Sequence, residues 1–434
     1  MTESLLETSL CKLSKYQRLW VGYSGGLDST VLLHCVASNP MFLHKVRAIH
    51  VDHGLSPNAP NWRAHCVQMC EALKIPLMIR QVVCHSAVNI EEGARNARYD
   101  AFSSLLEAGD ALLIAHHQDD QAETLLLQLL RGAGIEGMGG MSPTKTLGHG
   151  DLCRPFLSYS RRQLEAYATE NNLTWIEDES NQNAQFSRNY LRHRIIPLLE
   201  QKWPGARRNL SRTARHCQQA QSNLDALARL DCLELEARRN TLSLTSLKHV
   251  SRARVVNVLR AWLKNNAIRA PSTHIMDRIV DELVLACKES PSSVAWGGVC
   301  VRRYQQSLYI LDANKPGPVL SKDDLAWSSF PEALCLPHLK HTLVAVSAKT
   351  GLRVPDAARI RVGFRQGGEV IRLRGQTKSL KTLWQAWHVP PWQRDKIPLI
   401  YIDDCLAAVV GYAVSDVYYA RDASRVYQII KREE

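Results

Sequence analysis

Between residues 19 and 130 the chain alternates short apolar runs with amphipathic stretches: LWVGYS before STVLLHCVAS, VRAIHV before 61–73, PLMIRQVV before 91–106, and ALLIAH before AETLLLQLL. Parallel strands need a long crossover between them, and a helix is the usual filling, so this alternation predicts an α/β fold with helices covering both faces of a parallel sheet. In such sheets ligands bind at the carboxyl ends of the strands. A further helix and short strand follow from Tyr159, and the first domain is read as 1–210. Residues 211–315 read as a mainly helical middle domain that finishes in the hairpin VAWGGVCVRRYQQSLYIL. After the linker NKPGPVLSKDD, residues 340–434 read as a small mixed α/β C-terminal domain.

Composition narrows the partners. In 434 residues, apolar types make up 45 % and charged types 22 %, which excludes a wholly disordered or collagen-like chain. Lys and Arg outnumber Asp and Glu by 54 to 42, a net +12 that favours a polyanionic partner, nucleic acid first. The 12 cysteines are scattered without a Cys-x-x-Cys pair, so a reducing compartment and semi-buried thiols such as Cys66 and Cys70 are expected. The first residues lack the pattern of a secretory signal, and no apolar stretch approaches the roughly 18 residues of a membrane span. The expectation is a cytoplasmic protein with no membrane partner.

The strongest local signal is Ser24-Gly25-Gly26-Leu27-Asp28-Ser29-Thr30, set between the predicted strand LWVGY and the helix TVLLHCVAS. A phosphate chain that approaches a strand-to-helix turn needs backbone without Cβ, here Gly25 and Gly26, and free amides at a helix N-terminus. Ser24, Ser29 and Thr30 add hydroxyls. Asp28 repels phosphate by itself, so its presence points to a divalent cation, most simply Mg²⁺, between carboxylate and phosphate. A capped helix after a glycine turn is the structural alternative. No Gly-Lys dipeptide exists to complete a nucleotide-triphosphatase loop, and Gly132-Ala133-Gly134-Ile135-Glu136-Gly137 follows a helical pattern where a dinucleotide site needs a strand. That segment is read as a flexible loop.

With these residues the chain resembles the PP-loop ATP pyrophosphatases, which cleave ATP between the α and β phosphates. Further segments resemble one branch, the tRNA(Ile)-lysidine synthases: His50 to Leu55, Glu91 to Arg95 with Arg98-Tyr99, Ala115 to Thr124, Leu130-Arg131-Gly132, Arg154 to Leu157, Asp178 to Asn181, Arg188 to Arg192, and in the tail Gly367 to Glu369, Lys378 to Lys381 and Val389 to Trp392. The resemblance spans nearly the whole chain and is weakest between 211 and 310. It implies conversion of the wobble cytidine of tRNA(Ile) with a CAU anticodon to lysidine: ATP adenylates the C2 oxygen, pyrophosphate leaves, and the ε-amine of free L-lysine displaces AMP.

Within that reading, ATP is expected on Ser24, Gly25, Gly26, Leu27, Asp28 and Ser29, with His50, Asp52 and His53 near adenine and ribose or, alternatively, capping a loop. His116, Asp120 and Glu123 fall at i, i+4 and i+7, which predicts one helix face. The acids there can hold a lysine ammonium or Mg²⁺, and an acid or His116 can take the proton the amine must lose. Asp119 is read as a structural acid at the helix start. Arg95, Arg98, Arg154, Arg188 and Arg192 are candidate phosphate contacts or plain surface ion pairs.

Two stretches concentrate positive charge: 188–215 carries eight Lys or Arg against Glu200, and 353–396 carries ten against three acids. Arg372, Arg374, Lys378 and Lys381 in the second are expected to touch tRNA phosphates; Phe364, Trp384, Trp387 and Trp392 among them are read as core. Rival readings are a tRNA thiolase or amide-forming ligase on the same fold, and a non-catalytic tRNA-binding protein. Monomer and homodimer both remain open.

Overall fold

The structure, a computed structural model, describes residues 12–52, 54, 58–82, 90–177, 185–235, 240–286, 293–314, 324–336, 339, 341–422 and 424–433. Its contacts divide the chain into two compact units, Met1–Leu224 and Asp225–Glu434.

The first unit is built on β1 (Arg18–Gly22), β2 (Val46–Asp52), β3 (Leu77–Gln81), β4 (Asp110–Leu113), β5 (Thr144–Leu147) and β6 (Gly150–Cys153), in the spatial order β3-β2-β1-β4-β6-β5. All neighbours run parallel except the edge pair β5–β6. Successive side chains of a strand point to opposite faces. Accordingly Leu19, Val21, Ala111 and Leu113 join one core with Leu32 and Val36, while Trp20 and Leu112 join the other with Ile49, Phe102 and Leu152. Burial on both faces is why these strands read as continuous apolar runs.

Helices α1 (Leu27–Ala37), α2 (Ala59–Ala72), α3 (Ile90–Ser103), α4 (Gln118–Leu130) and α5 (Arg161–Glu170) cover the sheet. Leu27, Val31, Leu32, Leu33 and Val36 of α1 are all buried, because the helix lies against the sheet and against α5, where the Tyr167 hydroxyl meets His34 Nδ1 at 2.9 Å. After α4 the Gly132–Gly137 segment forms a short helical turn, Ile135–Met138, so the motif follows a helix and not a strand. It leads into residues that Gln121 and Gln218 fasten through the Met141 backbone, at 2.8 Å for each bond. A helical run from Ser187–Tyr190 through a wider π turn, Leu191–Ile195, to Ile196–Lys202 precedes the long α6 (Ala206–Asp231).

In the second unit α7 (Arg252–Asn265) packs Val255, Val258, Leu259 and Trp262 against an antiparallel sheet ordered β7-β10-β9-β8. Its strands are Thr241–Ser243 (β7), Ser293–Trp296 (β8), Val299–Tyr304 (β9) and Ser307–Asp312 (β10). The expected hairpin is β9–β10; β7 and β8 widen it. The tail is mostly β. It includes strands Leu325–Ala326 (β11), Leu334–Leu336 (β12), His341–Arg353 (β13) and Ile360–Gly363 (β14) in two small sheets, the ribbon Val370–Leu373 (β15) with Gln376–Ser379 (β16), and a short helix α8 (Leu380–Ala386). Trp384 is fully buried beside Ile371, Leu380 and Leu383, as a core residue. Among the described residues no helix is long and apolar enough to cross a membrane.

Candidate active site

The chain leaves β1 for β2 and β3 on one side of the sheet and returns to β4 on the other. Beyond the carboxyl ends of β1 and β4 the connections diverge, and this opens a crevice. The Ser24–Ser29 turn enters it from β1, and His116, His117 and the start of α4 enter it from β4.

The turn is shaped by its own backbone and hydroxyls. Gly25 has φ +83°, and a Cβ there would stand 3.0 Å from Ile176 Cδ1 and 3.1 Å from Cys66 Sγ. Its carbonyl accepts from the Ile176 amide at 2.9 Å. Ser29 Oγ accepts from the Ser24 amide at 3.2 Å and donates to the Gly26 carbonyl at 3.0 Å; Thr30 Oγ1 donates to the same carbonyl at 3.0 Å. Gly26 is the N-cap of α1 and supplies no side chain, so no side chain caps the amides there. That is the bare helix start an anion requires.

Asp28 sits in the first turn of α1. Its Oδ1 is buried with no hydrogen-bond partner, and its Oδ2 lies 3.6 Å from His117 Nε2. A buried, unpartnered carboxylate oxygen costs free energy unless something absent from the protein chain completes it. A hard cation suits this oxygen and the phosphate it would share.

His117, which sequence reasoning passed over for its neighbour, is almost fully buried and caps α4. The Asp119 amide donates to its Nδ1 at 3.2 Å, and its own amide donates to Asp120 Oδ2 at 3.0 Å. With Nδ1 accepting, the ring proton belongs on Nε2, which is 3.6 Å from both Asp28 Oδ2 and Asp120 Oδ2. Burial pulls the His117 pKa down, but Asp28, Asp120 and Asp119 outweigh it and leave the value raised. The sequence signal was present: an acid three residues after a capping side chain is the pattern of a capping box.

The helix therefore starts after residue 117, and the expected His116-Asp120-Glu123 helix face is corrected: His116 lies before the cap. Arg154 Nε donates to His116 Nδ1 at 3.1 Å, which occupies a lone pair the proton-acceptor role needed. Burial lowers the His116 pKa to about 3; Asp120 opposes this, and Arg154, Arg188 and Arg95 add to it. It is a neutral ring in a cationic wall.

Asp120 and Glu123 are buried, but not open. Arg188 Nε reaches Glu123 Oε2 at 2.7 Å and Arg192 Nε reaches Glu123 Oε1 at 2.6 Å, while Nη2 of the two arginines lies 3.3 and 3.1 Å from Asp120 Oδ1. Burial raises the Asp120 pKa, yet His117, Arg188 and His116 bring it to about 2. In this four-membered network opposite charges satisfy each other: Arg188 and Arg192 take the ion-pair alternative, and the oxygens of Asp120 and Glu123 are engaged by them. Asp119 is structural as read, bonded to the Arg161 amide and paired with Arg207.

Arg95, Arg98 and Arg154 remain as cations facing His116 or one another. Burial lowers the Arg98 pKa, Tyr99 counters it, and Arg95 and Arg188 lower it further. Cations that depress one another form a site that an anion stabilises. His50 and Asp52 are buried at the end of β2 and already engaged. His50 Nδ1 is 2.9 Å from the Tyr23 carbonyl; Asp52 accepts from the Gly54 amide at 2.9 Å and from Arg63 at 2.5 Å. This is the loop-capping alternative. His53 and the Asp178–Asn181 segment lie outside the described residues.

In the tail, Arg372 and Arg374 are exposed on the ribbon and Lys381 on α8. Lys378 pairs with buried Ile371 and Arg372 with Thr377, so Lys378 and Arg372 project from opposite ribbon faces. The four do not form one patch.

Residues 2–199 match the PP-loop domain model, 242–309 the TilS substrate binding domain and 360–429 the TilS substrate C-terminal domain. A tRNA(Ile)-lysidine synthase of Legionella pneumophila strain Paris is 47 % identical over 431 residues, covering 99 % of each chain. Those of Coxiella burnetii and Serratia proteamaculans are 39 % and 37 % identical, covering 94 % and 100 % of this chain and 92 % and 100 % of theirs. By sequence, by matched domains and by the turn that ends β1, the chain belongs to the tRNA(Ile)-lysidine synthase family.

Proposed function

We propose that this protein joins lysine to C2 of the wobble cytidine, position 34, of tRNA(Ile) bearing a CAU anticodon, at the expense of ATP. The cytosine C2 oxygen attacks the α-phosphorus and pyrophosphate leaves. The ε-amine of free lysine then attacks C2, loses a proton, and AMP departs with the former C2 oxygen. A carbonyl carbon of a pyrimidine is a poor electrophile, and phosphate-ester formation turns its oxygen into a leaving group. The product reads AUA in place of AUG and carries isoleucine identity.

The chain divides this work. Gly25, Gly26 and the uncapped start of α1 receive the phosphates. Asp28 would hold Mg²⁺, which when bound neutralises charge on the departing pyrophosphate. Arg154, bonded to His116, and Arg95 and Arg98 supply positive charge for phosphate. The Asp120-Glu123-Arg188-Arg192 network holds α4 and its cap, and so His117, against the crevice. Domains 211–315 and 340–434 grip tRNA away from the anticodon, in a cytoplasmic monomer or homodimer. The observation that carries the proposal is the unpartnered Asp28 oxygen at a bare helix start.

The test is incubation with ATP, Mg²⁺, tRNA and labelled lysine, followed by nuclease digestion. Label that survives mild base is expected; label lost to mild base, or absent, refutes ligation to the nucleobase.

A further inference from the structure

Beside the crevice the first unit carries an open cleft of about 1070 Å³, bordered by 12–16, the β5–β6 edge, the start of α4 and one face of α6. Six cations line it: Lys12, Lys15, Arg154, Arg208, Arg212 and Arg215, and no carboxylate does. Among the described residues none of the six forms an ion pair. The contrast with Arg207, one position away and paired with Asp119 and Glu200, shows that local acids exist and are used elsewhere.

Arg208, Arg212 and Arg215 follow i, i+4, i+7 spacing, so they stand on one face of α6 over roughly 10 Å of axis. Five of the six are exposed residues; Arg154 is buried. The lining also includes Met141, Pro143, Pro155 and Leu157, which give it an apolar strip. Cations tracking a backbone beside a surface for unstacked bases are the design of a site for single-stranded nucleic acid. An acidic peptide would not need the strip, and a free nucleotide would not need cations spread along a helix.

The cleft also shares a wall with the crevice: Arg154 lines it and donates to His116. A base drawn out of a loop leaves its own ribose-phosphate chain behind, close to the point of entry. Resting on the functional reading above, we propose that this cleft holds the ribose-phosphate backbone of the anticodon loop next to the base being modified, with Arg208, Arg212 and Arg215 as phosphate contacts.

The experiment uses the full chain and an anticodon stem-loop RNA with the CAU anticodon, with binding measured over a range of salt. The combined variant Arg208→Gln, Arg212→Gln, Arg215→Gln is expected to bind at least tenfold more weakly, with a log–log salt slope shallower by about 2, at about 0.7 per lost phosphate contact on a single strand. Lys12→Gln with Lys15→Gln, in the segment that precedes β1, is expected to reduce the slope by about 1.4. Unchanged slopes on the stem-loop overturn the assignment, also where full tRNA binding weakens, since the cations then serve another part of the tRNA. Lysine incorporation by the wild type is followed separately. Incorporation alongside unchanged slopes removes the cleft and spares the activity; shallower slopes without incorporation do the reverse.

Discussion

Two carboxylate neighbourhoods meet at one imidazole and are finished differently. On α4, Asp120 and Glu123 each have arginine nitrogens within 3.3 Å, and Asp119 is held by Arg207. On α1, Asp28 has one oxygen 3.6 Å from His117 and the other buried against nothing. Both places offer carboxylates in the first turns of a helix; what separates them is whether the protein completes its own hydrogen bonds. Completed charges hold the fold, and the incomplete one fits the cation-holding role proposed for Asp28.

The hardest blow to this contrast comes from Asp28→Asn. Pyrophosphate release with tRNA is expected to fall by at least a thousandfold while tRNA binding and Tm stay close to wild type; turnover within tenfold of wild type would end the cation assignment. Glu123→Gln should act the other way. It leaves two half-buried guanidinium groups short of an acceptor and is expected to cost about 3 kcal/mol in urea unfolding. A stable Glu123→Gln protein with lost lysine turnover would return Glu123 to the chemistry.

The turn sharpens the same distinction. Gly25→Ala meets Ile176 and Cys66 at a positive φ and is expected to lose about 1–2 kcal/mol of stability. At Gly26 an added Cβ finds only ordinary contacts, the nearest being Ser24 Oγ at 3.5 Å. Gly26→Ala should therefore keep its Tm and raise the KM for ATP about tenfold, by blocking close approach of phosphate. A fall in Tm equal to that of Gly25→Ala would place both glycines in the fold alone.

The smallest expected effect concerns His116. Its folded-state pKa, about 3, lies below the ordinary 6.5, so the unfolded chain binds a proton that the folded one refuses. Stability then rises with pH through that window and is lost on acidification from about 6.5 downwards. His116→Gln lacks this loss, so the wild-type advantage in Tm should shrink between pH 7 and pH 5. A constant difference would show that His116 accepts a proton freely.

Much of this architecture was legible from the chain alone, for reasons that also mark the limits. The β1 turn could be read because an apolar run, two glycines and a helical pattern are contiguous, and each constrains the next. The network on α4 could not, because Arg188 and Arg192 lie 65 and 69 residues from Glu123 and no local pattern couples them. Adjacent histidines hid the helix start: i, i+4, i+7 spacing counted from His116 puts that residue, which precedes the cap His117, on a helix face it does not share. Strand β7 escaped notice because one buried residue, Leu242, in three gives no period to detect. In the ribbon, the turn at Arg374 and Gly375 resets the alternation, so a cluster of basic letters became two faces.

One ring nitrogen, Nε2 of His117, has a single hydrogen to offer and two carboxylates at equal distance. Because the start of α4 claims the opposite nitrogen, that hydrogen cannot migrate across the ring without breaking the cap. The imidazole thus works as a fixed spacer between like charges, and the posture of the Asp28 carboxylate is inherited from a neighbouring helix rather than from its own.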